Sequence, residues 1–179
     1  MAVKVINYDD RLYELGELED FEAGLLKRTI EIADQAKQKG NHPFGALLAD
    51  GEGRILLEQE NDQISGTDCT AHAETALIRK ASGIYSREEL EKFTLYSCCE
   101  PCCMCTGAMY WSGLGRMVYA CRESKLKECT GDDPRNPTLD LPCRAVIACG
   151  QRNMEILGPF PELEPMYLKL HKDYWGKEE

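Results

Sequence analysis

The sequence predicts an α/β protein in which helices cover a layered sheet. Two observations carry this. From residue 72 onward, helical periodicity alternates with short β-type runs, and ahead of them two apolar runs separated by Gly-Glu-Gly form a hairpin pattern. A third observation bounds it: 179 residues, 43% of them hydrophobic, are enough for one core, and no apolar run approaches the roughly 20 residues of a membrane span. The chain reads as one unit over 1–179, with an N-terminal extension at about 1–20 and a closing helical lid at about 160–179.

"ELEDFEAGLLKRTIEIADQAKQKGN" (17–41) sets Phe21, Leu25, Ile32 and Ala36 at helical spacing and stops at Gly40 and Asn41. "FGALLAD" and "RILLEQ" flank Gly51, Glu52 and Gly53 as a β-hairpin. After the polar loop "ENDQISGTD", "CTAHAETALIRKAS" (69–82) reads as a second helix ending at Gly83. "KFTLYSC" (92–98) reads as a strand, and "PCCMCTGAMYWS" (101–112) as a helix opened by Pro101 and closed at Gly113. "RMVYAC" (116–121) is a further strand. The Pro-, Asp- and Gly-rich stretch that follows, up to "LP", reads as a long loop, with 131–142 a surface insertion. "RAVIACG" (144–150) is the last candidate strand and "ELEPMYLKLHKDYW" (162–175) the closing helix. There is no internal repeat, low-complexity tract or interdomain linker.

A net charge of −10 opposes nucleic-acid binding, which needs a basic stripe to release counterions from phosphates; a small neutral substrate fits better. The N-terminal "MAVKVINYDDRLYELGELED" lacks the apolar core and cleavage site of a secretory signal, so the expected location is cytoplasmic, with no membrane partner. There, thiols stay reduced, and ten cysteines point to metal or catalysis before disulfides.

Five of the ten crowd into "LYSCCEPCCMC" (95–105). With Pro101 at the first helical position, Cys102 and Cys105 lie in the first turn, three residues apart on one face, where the positive end of the helix dipole favours thiolate. Cys103 is rotated about 100° away. Cys98, Cys99, Cys103, Cys121 and Cys149 read as small buried hydrophobes. Of the three histidines, at 42, 72 and 171, His72 heads a predicted helix thirty residues before Cys102. Two thiolates and one imidazole give zinc three protein ligands and leave the fourth tetrahedral position to water, as in catalytic sites; Cys99 as a fourth ligand would instead close a structural site. Glu74 stands two residues after His72, about 200° round a helix, so the two share a site only where the long side chain reaches round the helix end. Otherwise Glu74 is a solvated residue favoured by the dipole.

"HAE" at 72–74 with "PCCMC" at 101–105 resembles the H-x-E…P-C-x-x-C signature of the zinc-dependent cytidine deaminase superfamily. Within it, "SCCEPCCMCTGAMYW" looks most like the guanine deaminase branch, whose members share "SCEPCPMC", a following GA-aromatic-YW-like run, a "PFGA" strand start and a downstream "DD" pair. The resemblance runs from about Pro43 to Asp133 and more loosely to the end.

The resemblance implies a three-layer α/β/α sandwich around a central mixed five-stranded sheet, and a homodimer, in some members with C-terminal swapping. Carried over by position, His72, Cys102 and Cys105 are zinc ligands and Glu74 the proton shuttle. Phe44 and Asn61 stack on and bind the base, Ala73 supplies a backbone contact, Trp111 a pocket wall, and Asp133 reads the purine's polar edge. Tyr174 or Trp175 matches the aromatic residue that closes the site. The implied reaction is hydrolytic deamination of guanine to xanthine and ammonia. Cys103 in place of the usual proline, the extra thiol Cys99 and the added "PRNPTLDLP" depart from the branch, and the last bears on substrate choice. The competing readings are a deaminase of another small base or nucleoside (cytosine, adenine, cytidine, a guanosine-like compound), a tRNA adenosine deaminase, and a binding protein with a closed zinc site.

Overall fold

Along a strand, successive side chains face opposite sides, so a strand that is buried at almost every position must be covered on both. Three strands of this chain are of that kind. In the computed structural model, which describes residues 18–131 and 133–175, the elements run α1 (Asp20–Gln38), β1 (Gly45–Ala49), β2 (Ile55–Glu60), α2 (Ala73–Ser82), α3 (Arg87–Leu90) and β3 (Thr94–Cys99). There follow α4 (Cys103–Ser112), β4 (Arg116–Cys121), α5 (Glu123–Thr130), α6 (Cys143–Ala148), β5 (Glu155–Leu157) and α7 (Glu164–Trp175). Most of the N-terminal extension and the last four residues of the lid lie outside the described residues.

The five strands form one mixed sheet in the order β2-β1-β3-β4-β5, with β1 antiparallel to β2 and β3, and β3, β4 and β5 parallel. Leu47, Tyr96, Val118 and Ala120 face a core shared with Leu26, Ile30 and Ala33 of α1, Leu126 of α5 and Tyr167 of α7. Ala46, Leu48, Leu95, Met117 and Tyr119, one position out of phase, face a second core with Leu77 and Ile78 of α2, Met109 of α4 and Ile147 of α6. The expected three-layer sandwich follows from that period-two split. At Gly45 an added Cβ would stand 2.4 Å from the Thr29 carbonyl oxygen, so glycine lets α1 seat directly on β1. Gly113 (φ 94°) ends α4 in the left-handed region.

Four local expectations are corrected. "RAVIACG" is no strand: its stretch is helix α6, with Cys143 and Ile147 buried four residues apart on one face, and the fifth strand is Glu155–Leu157. The stretch after β4 holds α5 before the loop begins, and Arg87–Leu90 forms the short helix α3, set off by a Ser86 capping box. Helix α4 starts at Cys103, so Cys102 is its N-cap instead of lying in its first turn. Among the expected helix-face residues, Phe21 is exposed while Leu25, Ile32 and Ala36 are buried.

Helix α7 is fastened to the loop before β1 by an aromatic cluster. His171 is fully buried, 4.4 Å from Tyr167 and 5.2 Å from Phe44 between ring centroids, and its Nδ1 accepts the Trp175 indole N–H at 2.8 Å. Burial, with the nearby Lys37 and His42, pushes its pKa down to about 3. Below about pH 6.5 the unfolded chain takes up a proton that the native imidazole refuses, so native stability falls as pH drops toward 3, by about 1.4 kcal/mol per pH unit. The full slope is reached well below pH 6.5, so in urea unfolding at pH 7, 6, 5 and 4 the difference in stability between wild type and His171→Gln, which keeps an acceptor for the indole, is expected to shift against wild type by about 1.4 kcal/mol per unit below pH 6.

Candidate active site

Two helices begin at the same place. His72 is the N-cap of α2 and Cys102 the N-cap of α4, and the helices pack against each other so that their positive ends converge. Cys105, three residues into α4, completes a cluster in which the ligand atoms of His72, Cys102 and Cys105 all lie within 4.8 Å of one another. Cys102 Sγ is 3.6 Å from His72 Nδ1 and 3.6 Å from Cys105 Sγ. A tetrahedral zinc with bonds of about 2.0–2.3 Å has ligand–ligand edges of about 3.4–3.8 Å, so these donors suit it in spacing as well as in softness.

Electrostatics point the same way. The Cys102–Cys105 hydrogen bond, with His72 and the Cys105 backbone N–H, holds the Cys102 pKa down to about 4 despite its burial. The same bond and burial push Cys105 well up. On His72, burial acts downward, but the Cys102 hydrogen bond and the charges of Cys102, Glu74 and Glu123 carry the net shift upward. The cluster therefore concentrates negative charge that a divalent cation would neutralise. Thr75 Oγ1 donates to Cys105 Sγ at 3.2 Å, supporting that ligand from behind.

Glu74 reaches round the helix end into the cluster. It is 5% exposed; its Oε2 accepts from Cys105 Sγ at 3.3 Å and its Oε1 from the Ser97 hydroxyl at 2.7 Å. Burial raises its pKa, and Ser97 and His72 offset part of the rise. A carboxyl brought closer to neutrality this way can both accept and donate a proton. Ser97 was not foreseen, although its parity with Leu95 on an all-buried strand places it on the α2 side of the sheet.

A cavity of about 370 Å³ opens beside the cluster, lined by His72, Cys102, Gln63, Glu123, Asn136 and Leu139 among others. Burial pushes the Glu123 carboxyl up to about 8. Cys99 is no fourth ligand: its thiol turns toward Glu123 Oε2 at 3.5 Å. All ten cysteines are free thiols; Cys98, Cys99 and Cys121 are buried as expected, whereas Cys103 is half-buried and Cys149 exposed.

None of the residues that the resemblance assigns to base binding lines this cavity. Asn61 is buried, its amide taken up by the backbone and side chain of Gln63, which does line the cavity. Asp133 is paired with Arg135 at 2.6 Å, and that pair holds its carboxyl down at about 2. Arg135 lines the cavity and lies over the rings of Tyr174 (5.7 Å) and Trp175 (5.2 Å). Phe44 packs behind, against His171. Ala73 is the buried first residue of α2. Trp111 is 78% exposed on the outer side of α4. Gln63, Glu123 and Arg135 carried no sequence signal of their own, because the folding of separate loops brings them together.

Elemental analysis is expected to find one zinc per chain, falling well below one in Cys102→Ala and His72→Ala. Ser97→Ala is expected to keep zinc and fold while any turnover that depends on Glu74 drops about tenfold or more, since the carboxylate loses a charge-assisted hydrogen bond.

Comparison with known proteins agrees with the geometry. Residues 20–121 match the family model "Cytidine and deoxycytidylate deaminase zinc-binding region", a span that contains the whole cluster and Glu74. A probable cytosine deaminase of Schizosaccharomyces pombe is 33% identical over 161 residues, covering 89% of this chain and 95% of that protein. Guanine deaminase of Bacillus subtilis is 38% identical over 109 residues, 60% of this chain and 69% of that one. The solved structure of guanine deaminase from Nitrosomonas europaea superposes with a TM-score of 0.69 over 92% of this chain and 89% of that one; at 24% identity it bears on the fold. Signature, donor spacing and a relative matched nearly end to end converge: the chain belongs to the zinc-dependent cytidine and deoxycytidylate deaminase family.

Proposed function

We propose that this protein, acting as one catalytic domain in the cytoplasm, hydrolytically deaminates a free nucleobase, with guanine as its substrate and xanthine and ammonia as products. The observation that carries the reading is Glu74, a buried carboxyl held by Ser97 against a His/Cys/Cys cluster that fits zinc. Zinc held by His72, Cys102 and Cys105 supplies Lewis acidity that lowers the pKa of water toward about 7. Glu74 takes a proton as water adds to the amine-bearing carbon, C2 in guanine, and passes it to a ring nitrogen. It then takes the proton of the added hydroxyl as the carbonyl forms and delivers it to the amine, so that the C–N bond breaks and ammonia leaves. Burial supports this double duty by raising the Glu74 pKa, which makes the carboxylate a readier proton acceptor.

On this reading Gln63, Glu123 and Arg135 meet the base directly, Asn61 acts by orienting Gln63, and Asp133 by orienting Arg135. Phe44 backs the cavity, and Ala73 offers its backbone beside His72. Tyr174 closes the site in cis, because its own helix packs on His42 and on Arg135. We read the assembly as a homodimer in which a second copy covers the exposed Trp111. Guanine is favoured by the guanine-type motif and the Bacillus subtilis relative, and the charge of −10 argues against tRNA. Among the described residues no helix is long and apolar enough to cross a membrane.

Cytosine is the second reading, favoured by the Schizosaccharomyces pombe relative that matches across 95% of its length. Ammonia release by the zinc-loaded protein from guanine, guanosine, adenine, cytosine and cytidine separates the two. Release from guanine is expected; release from cytosine in its place would keep the chemistry and replace the substrate, and silence across the panel would overturn deamination of these compounds. Glu74→Gln is expected to retain zinc and lose several orders of magnitude in rate.

A further inference from the structure

Glu100 stands between the end of β3 and Pro101, and the deamination reading gives it no task. It is 3% exposed. Its root is rigid: its N–H donates to the Cys121 carbonyl at 2.7 Å, continuing the β3–β4 pairing, and the next carbonyl, that of Pro101, accepts from the Thr106 hydroxyl at 3.1 Å. From there the carboxylate reaches two other elements at once. Oε1 accepts the Cys143 N–H at 3.0 Å and Oε2 the Glu123 N–H at 3.4 Å.

Both donors are the first residue of a helix, α6 and α5, where backbone N–H groups have no acceptor within the helix and negative charge is favoured. Neither helix is capped by its own N-cap side chain, Pro142 or Arg122. These two helices bracket the 131–142 loop. That loop contributes Arg135, Asn136, Thr138 and Leu139 to the cavity, and α5 contributes Glu123.

We infer that Glu100 is a positioning residue that sets the outer wall of the cavity against the ligand turn by fastening the starts of α5 and α6 together. Helix α6 has a second tether, Arg144, which donates to the Tyr119 hydroxyl at 2.8 Å and to the Ile156 and Gly158 carbonyls at 2.9 and 3.0 Å. Loosening of the Glu100 link therefore falls mainly on α5 and the loop.

The test compares zinc-loaded wild type with Glu100→Gln, which keeps the size but turns one acceptor oxygen into a donor. Amide hydrogen exchange across α5 and the 131–142 loop is expected to rise about tenfold or more, while the strands and the zinc content stay as in wild type. In the deamination assay, whose use here rests on the proposed function, KM is expected to rise about tenfold with kcat little changed. Unchanged exchange in α5 and the loop overturns the inference, as does loss of zinc, which would make Glu100 a support of the ligand turn. If Glu100→Gln does not fold, Glu100→Asp, too short to reach both helices, gives the same two readings. A wild type that releases no ammonia would sink the proposed function and leave the exchange result to decide this one.

Discussion

The structure depends on one convergence: α2 and α4 must begin at the same point. His72 and Cys102 are both N-cap residues, and each helix directs unpaired N–H groups and the positive end of its dipole at the cluster. That field favours the Cys102 thiolate and the ionised form of Glu74 against the desolvation that opposes both. The convergence is held from below by the core that Leu77 and Met109 share with Leu95 and Met117. The sheet thus sets the distance between two sulfurs and a ring nitrogen.

A chain of net charge −10 still buries several acids, and each has a physical answer to the cost of burial. Glu22, the third residue of α1, accepts from the Glu19 N–H, the Tyr96 hydroxyl and Arg116; although burial raises its pKa, these partners hold it below the usual range. Glu100 is answered by two backbone N–H groups, and Glu74 by Ser97 and the Cys105 thiol. Glu123 faces the Cys99 thiol and the cavity, and burial pushes its carboxyl up to about 8. Glu22, with three partners, lies in the framework, while Glu74 and Glu123 stand at the cluster and cavity of the proposed reaction centre, where proton exchange is of use.

The cavity wall opposite the cluster is made by a loop with no secondary structure of its own. It stays in place through a chain of contacts: Asp133 orients Arg135, Arg135 lies on Tyr174 and Trp175, and Trp175 donates to the buried His171. The inserted segment and the C-terminal helix therefore meet beside the site through Arg135 and its two aromatic partners.

Much was legible in the sequence because it depends on neighbours along the chain. Helical spacing marked α1, α2, α4 and α7, the Gly-Glu-Gly turn marked the hairpin, and the two short motifs at 72–74 and 101–105 marked residues that the fold brings together, a His/Cys/Cys cluster with the spacing zinc needs and a carboxylate beside it. Where local signals are weak, an apolar run such as 144–150 has the look of a strand although the buried positions of its stretch, Cys143 and Ile147, have helical spacing. Sequence by itself determined the chemistry available, since thiolate, imidazole and carboxylate at those spacings suit zinc and proton transfer. Tertiary structure alone decided what surrounds that chemistry. Cys99 turned to Glu123, Arg135 to the rings of Tyr174 and Trp175 and Trp111 to solvent, because the packing of helices and loops that no local pattern encodes decides each, whereas Asn61 with Gln63 and Asp133 with Arg135 close local turns.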